Sequence, residues 1–156
     1  MSDEADMRQA IEKARQGIES GQSPFGACIV RDGKVIACAH NVVLASTDIT
    51  AHAEIHAIRE ACCALQTIDL SGSVIYSTCE PCAMCFGACH WARIGRIVYG
   101  VRSVDSAEFG FHELPISDQT LKELAHSAIE LVPDCLLEEN RELFRRWEAR
   151  SDKHVY

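Results

Sequence analysis

The chain has 156 residues, 47% of them apolar and 24% charged, the size and make-up of one ordinary globular domain able to close a single core. A net charge of −8 argues against a nucleic-acid partner gripped mainly through its phosphates, because such binding rests on Lys and Arg. No apolar run approaches the roughly 18 residues of a membrane span, and no apolar stretch follows the acidic Met-Ser-Asp-Glu-Ala-Asp start to suggest a secretory signal.

The expected compartment is therefore the cytoplasm. Nine cysteines in that setting should stay mostly reduced, with Cys28, Cys38, Cys62, Cys63 and Cys135 acting as small buried hydrophobes.

Met7, Ala10, Ile11, Ala14 and Ile18 recur at helical spacing, predicting an amphipathic helix over about 4–20 that Gly21 ends. Phe25–Val30 and Val35–Ala39 are apolar runs joined through Asp32-Gly33, a strong hairpin signal. The second strand delivers His40 and Asn41, and 42–50 reads as a loop. Thr50 is placed to cap a helix over about 51–65, with Ile55, Ile58, Cys62 and Leu65 inward and His52 and Glu54 in its first turn. Val74–Ser77 reads as a short strand, and Pro81 suits the first position of a helix over about 81–92 that opens with Cys82 and Cys85. Strands follow at Ile94–Val101 and Ile129–Val132, with weaker helical signals over about 118–126 and 136–150. Residues 1–156 contain no repeat or linker and read as one domain. Strands separated by helices, after an opening hairpin, predict an α/β layer with a partly parallel sheet.

His52, Cys82 and Cys85 offer one imidazole and two thiolates, three ligands that would leave the fourth position of a tetrahedral Zn²⁺ to a water or hydroxide. That is the catalytic pattern. Both halves fall at predicted helix N-termini, where free N–H groups and the positive dipole end favour thiolates. Glu54, two residues past the histidine, is poorly placed as a fourth ligand and well placed to handle that water's proton. Three other readings compete. Cys79, Cys82, Cys85 and Cys89 have the spacing of a ferredoxin run, but His90 stands where Pro is needed and no second run exists. His52 and His56 stand four apart as in a zinc protease, but Ala53 occupies the place of the required Glu. A purely structural metal could take Cys79 as a fourth ligand, and would leave Glu54 without work.

The His-x-Glu and Pro-Cys-x-x-Cys elements together resemble the zinc-dependent, cytidine-deaminase-like hydrolases, and within them the bacterial guanine deaminase branch. The likeness extends over Pro24-Phe25-Gly26-Ala27, Asn41, Thr50 to Glu54, Cys79 to Cys85, Trp91-Ala92-Arg93, Asp105 to Phe111 and the aromatic Tyr156. It implies a three-layer α/β/α fold with a five-stranded mixed sheet. It also implies zinc on His52, Cys82 and Cys85, with Glu54 as proton shuttle. The resemblance further implies that Asn41 hydrogen-bonds a nucleobase, that Phe25 and Trp91 wall the pocket, and that Glu113 accepts N–H groups of guanine, where Asp is the more usual residue. By the same likeness, about 147–156 forms a lid ending in Tyr156, exchanged between the subunits of a homodimer. The implied activity is hydrolysis of guanine to xanthine and ammonia.

Some motifs are shared with tRNA adenosine deaminases, notably Ala83 to Ala88, Arg93 to Arg96 and Leu143 to Arg146, which makes that activity the alternative. Guanosine, an aminotriazine or cytosine would be other substrates of the same chemistry. An inactive zinc- or nucleobase-binding module is the non-enzymatic alternative, against which the intact Glu54 argues.

Overall fold

The structure is a computed structural model that describes residues 2–156. Helix α1, Asp3–Glu19, begins where the Ser2 side chain accepts the Ala5 N–H, and Asp3, Glu4 and Asp6 in its first turn face the positive end of its dipole. The stripe Met7, Ala10, Ile11, Ala14 and Ile18 is buried, as its spacing requires.

Strands β1 (Gly26–Arg31) and β2 (Lys34–His40) form the hairpin. Between β2 and α3 (Ala53–Leu65) the stretch expected to be a loop contains a one-turn helix, α2 (Val43–Ser46). Strand β3 is Ser73–Cys79, α4 is Ala83–Trp91 and β4 is Arg96–Val101. An unexpected helix α5 (Ser103–Glu108) follows, then α6 (Asp118–Ala125), β5 (Glu130–Val132) and α7 (Leu137–Glu148).

The strand order is β2-β1-β3-β4-β5. β1 pairs antiparallel with β2 and β3, while β3, β4 and β5 run parallel, so the five-stranded sheet is mixed. Alternation along each strand sorts side chains to two faces. Ala27, Ile29, Ile75 and Ile97 point into a core shared with α3 and α4. Cys28, Val30, Tyr76 and Val98 point into a second core beneath α1 and α7. Helices on both faces give the three-layer α/β/α arrangement.

Gly26 is required by a close approach. A β-carbon there would lie 2.2 Å from the Ala10 carbonyl oxygen, so only glycine lets α1 lie this near β1. One cysteine expectation needs correcting: Cys28 and Cys38 form a disulfide and are not independent buried thiols. The antiparallel register sets them directly opposite one another, with Cα atoms 4.1 Å apart, which brings the two thiols within bonding reach. The other seven cysteines are unpaired, and Cys63 is exposed.

Parallel β3 and β4 end side by side, Cys79 opposite Val101, and the Glu80 N–H extends the ladder to the Val101 carbonyl at 2.8 Å. The two segments that leave this edge, 80–82 and 102–118, bear on the site described next.

Candidate metal centre and active site

His52 and Cys82 are the N-caps of α3 and α4, each in extended backbone. This shifts both helix starts from their expected positions: Thr50 and Pro81 precede the caps, and His52 lies just before the first turn. N-cap side chains ordinarily accept an N–H from their own helix. Neither does so here; both turn toward each other instead. Glu54 and Cys85, in the first turns that follow, are buried beside them.

The three candidate ligand atoms lie within 4.8 Å of one another. His52 Nδ1 is 3.6 Å from Cys82 Sγ and 3.6 Å from Cys85 Sγ. A tetrahedral Zn²⁺ with bonds of about 2.1 Å to nitrogen and 2.3 Å to sulfur spans about 3.5–3.6 Å between such ligands. Both histidine–cysteine spacings therefore match the ion. Cys79 and Cys89 are not in the cluster: Cys79 Sγ faces the Arg102 carbonyl at 4.0 Å and Cys89 is buried elsewhere in the α3–α4 core. That removes both the four-cysteine cluster and the four-ligand structural metal. His56 points to Glu60, at 3.4 Å, and takes no part.

The electrostatics favour metal binding. The Cys82 thiol is drawn down to about 4, first by a hydrogen bond from Cys85, with His52 adding to it against burial. The Cys85 thiol moves the other way, held up by that same bond and by burial. One thiolate at Cys82 with Cys85 donating to it satisfies both. Burial lowers the His52 pKa, but the adjacent Cys82 and Glu54 outweigh it and the net shift is upward. Glu54 is 6% exposed, and burial raises its carboxyl despite the countering charge of His52. Ser77 Oγ donates to Glu54 Oε1 at 3.0 Å, and Oε2 lies 3.5 Å from Cys85 Sγ.

A cavity of about 320 Å³ opens over this cluster, at the lower end of the range for small-molecule sites. Phe25, Phe111 and Tyr156 supply aromatic surface, and Glu113 a second carboxylate. Phe25 and Phe111 meet edge to face with centroids 4.9 Å apart, and Phe111 meets Tyr156 at 5.6 Å. Glu113 Oε1 accepts from Ser106 Oγ at 2.9 Å, and burial raises the Glu113 carboxyl. Asn41 is buried just beneath: its Oδ1 accepts from Val43 N and its Nδ2 donates to the Tyr156 hydroxyl at 2.5 Å. Within this one chain, residues 152–156 thus reach their own cavity, and the Tyr156 carbonyl accepts from His112 N at 3.0 Å.

Trp91 is the one expected pocket residue that lies elsewhere. As the last residue of α4 it points outward, 85% exposed, beside Ile68 and Arg93. The sequence assigns no role to Ser77, Glu80 or Ser106. Ser77 carries a signal, being a polar residue on the α3-facing side of an apolar strand, and Glu80 falls within the Cys79 to Cys85 motif; Ser106 carries none.

A profile of the cytidine and deoxycytidylate deaminase zinc-binding region matches residues 1–101. The chain is 38% identical to the guanine deaminase of Bacillus subtilis, over the full length of both proteins. It is 44% identical to the tRNA-specific adenosine deaminase of the same organism over 98 residues, which is 63% of this chain and 61% of that one. Among solved structures, guanine deaminase from Nitrosomonas europaea superposes with a TM-score of 0.87 at 31% identity, covering 94% of this chain and 85% of that one.

Proposed function

The chain belongs to the cytidine and deoxycytidylate deaminase zinc-binding family, and from that premise we propose that it hydrolyses guanine to xanthine and ammonia. It is a zinc-dependent aminohydrolase. The observation that carries the choice of substrate is Glu113, a half-buried carboxylate lining the cavity, beyond the shared zinc-binding region. A carboxylate accepts two hydrogen bonds side by side, which suits a purine that presents ring N–H donors. The full-length likeness to a guanine deaminase supports the same choice.

His52, Cys82 and Cys85 are the residues that would hold zinc, which when bound supplies a Lewis acid that lowers the pKa of water toward about 7. Glu54 Oε2 carries one proton of the attacking water to the ring nitrogen, then carries the second, from the hydroxyl added to the ring carbon, to the amine, which leaves as ammonia. Ser77 holds Oε1 in place meanwhile. Phe25 lies along the flat ring and Tyr156 covers it, excluding bulk water. Asn41 meets the base through its amide or through the Tyr156 hydroxyl it donates to.

The tRNA adenosine deaminase reading has support in the 44% identity over 98 residues. Two features weigh against it. The net charge is −8, and among the described residues none that lines the cavity is a lysine or arginine, so the cavity itself offers no such cation to a nucleotide phosphate.

We also propose that residues 1–156 act as one catalytic unit in the cytoplasm, as a homodimer. The exposed Trp91 and Ile68 suit a surface that a second copy covers, and the 152–156 segment, held by few bonds, could be exchanged between copies. No helix among the described residues is long and apolar enough to cross a membrane. Ammonia release from guanine, guanosine, cytosine and an adenosine-containing tRNA hairpin tests the substrate. Turnover of guanine well above the other three is expected; preferential turnover of the hairpin would overturn the assignment.

A further inference from the structure

Glu80 sits between the metal-ligand segment and the substrate segment, and bonds to both ends of the latter. It is 6% exposed and immediately precedes Pro81 and Cys82. Its Oε2 accepts from Ser103 N at 3.0 Å and from Ser103 Oγ at 3.2 Å. Its Oε1 accepts from Asp118 N at 2.8 Å. Ser103 and Asp118 are the two feet of the excursion that carries Phe111, Glu113 and Leu114 into the cavity. Between these feet, residues 107–116 hydrogen-bond only within the excursion, apart from His112 N to the Tyr156 carbonyl. Phe109 and Phe111 anchor the segment by packing against Phe144 and Trp147, and Glu80 supplies most of its polar attachment to the sheet.

The residue type matters. Three donors converge on it from two directions, and only a carboxylate presents two acceptor oxygens. Glutamine would replace one of them with an NH₂ that cannot accept. All three bonds are made to a buried side chain, so a donor left without its acceptor there would be costly.

We propose that Glu80 is a positioning residue that sets where Glu113 stands relative to His52, Cys82 and Cys85, and so governs how well the substrate fits. The inference rests on Glu113 as a substrate contact. It assigns Glu80 no bond to the substrate and no proton to carry. Because Glu113 would grip the base alike before and during reaction, losing its position should weaken binding more than it slows chemistry.

The test compares wild type with Glu80→Gln, Glu80→Ala and Ser103→Ala by hydrogen exchange across 103–118, by zinc content and by guanine kinetics. Glu80→Gln should keep its zinc and the protection of the sheet, while exchange in 103–118 quickens and KM rises by roughly tenfold or more, with kcat changed by less than about threefold. Ser103→Ala, losing one of three bonds, should lie between. If Glu80→Ala fails to fold, Glu80→Gln decides alone. Wild-type exchange throughout 103–118 in Glu80→Gln, or loosening spread evenly over the chain, overturns the proposal. Should wild type leave guanine unchanged, the substrate reading fails by itself, and the exchange data still decide whether Glu80 fastens the segment.

Discussion

Ser77 and Glu54 are joined across the α3–β3 boundary, the hydroxyl donating to Oε1 at 3.0 Å and leaving Oε2 toward the metal ligands. Glu54→Gln keeps the shape and removes the proton carrier. It should retain zinc and lower kcat by about 10²–10⁴-fold. Ser77→Ala leaves a buried acceptor unpaired and should lower kcat by about tenfold. Steady-state rates beside metal analysis check both.

Removing a ligand should act on the metal first. His52→Ala and Cys82→Ala should each lose at least about a hundredfold in zinc affinity, and activity with it. A chelator should silence the wild type reversibly, with zinc restoring it. Competition with a zinc indicator measures the affinities.

Asp118 gives a pH-dependence. It is 0% exposed and neither of its carboxylate oxygens has a hydrogen-bond partner. Burial first, then the charge of Glu80, raises it from 3.8 to about 9. The folded chain thus keeps a proton that the unfolded chain releases across this window. Its contribution to stability is full below pH 3.8, falls as pH rises, and levels off above about 9. Asp118→Asn stays neutral throughout, so its Tm relative to wild type should climb from pH 4 to pH 9. Paired thermal melts across that range read the difference.

The Tyr156 hydroxyl is the partner of the buried Asn41 amide. Tyr156→Phe strands that donor and should raise KM by roughly five- to a hundredfold. Because the two side chains share one bond, Asn41→Ala combined with Tyr156→Phe should cost less than the sum of the single changes. A double-mutant cycle on KM measures the coupling.

The long helices and the hairpin were legible because their signals are local: a buried stripe over about three turns in α1, and Asp32-Gly33 between two apolar runs. The ligands were legible for a related reason, since two short motifs supply all three and Glu54 besides. Helices α2 and α5, of 4 and 6 residues, span too few turns to show a period. The caps were misplaced because capping rules assume the side chain serves its own helix, whereas His52 and Cys82 serve a shared centre. Trp91 shows the limit of reading a role by likeness: its place at the outer end of α4 depends on packing that no motif encodes. The Cys28–Cys38 bond likewise follows from strand register, which pairs the two residues only once the hairpin is closed.

The strand register has a practical use. Phe25 enters the cavity at one end of β1, while Arg31 at the other end pairs with Ser73, where β3 begins. The tight bend at Asp32 and Gly33 thus lies a full strand length from the chemistry; Gly33, at φ +70°, needs to stay glycine, and the exposed Lys34 beside it is the point of attachment. A fluorophore or an affinity handle grafted there would report on the enzyme, or immobilise it, without crowding the mouth through which substrate enters.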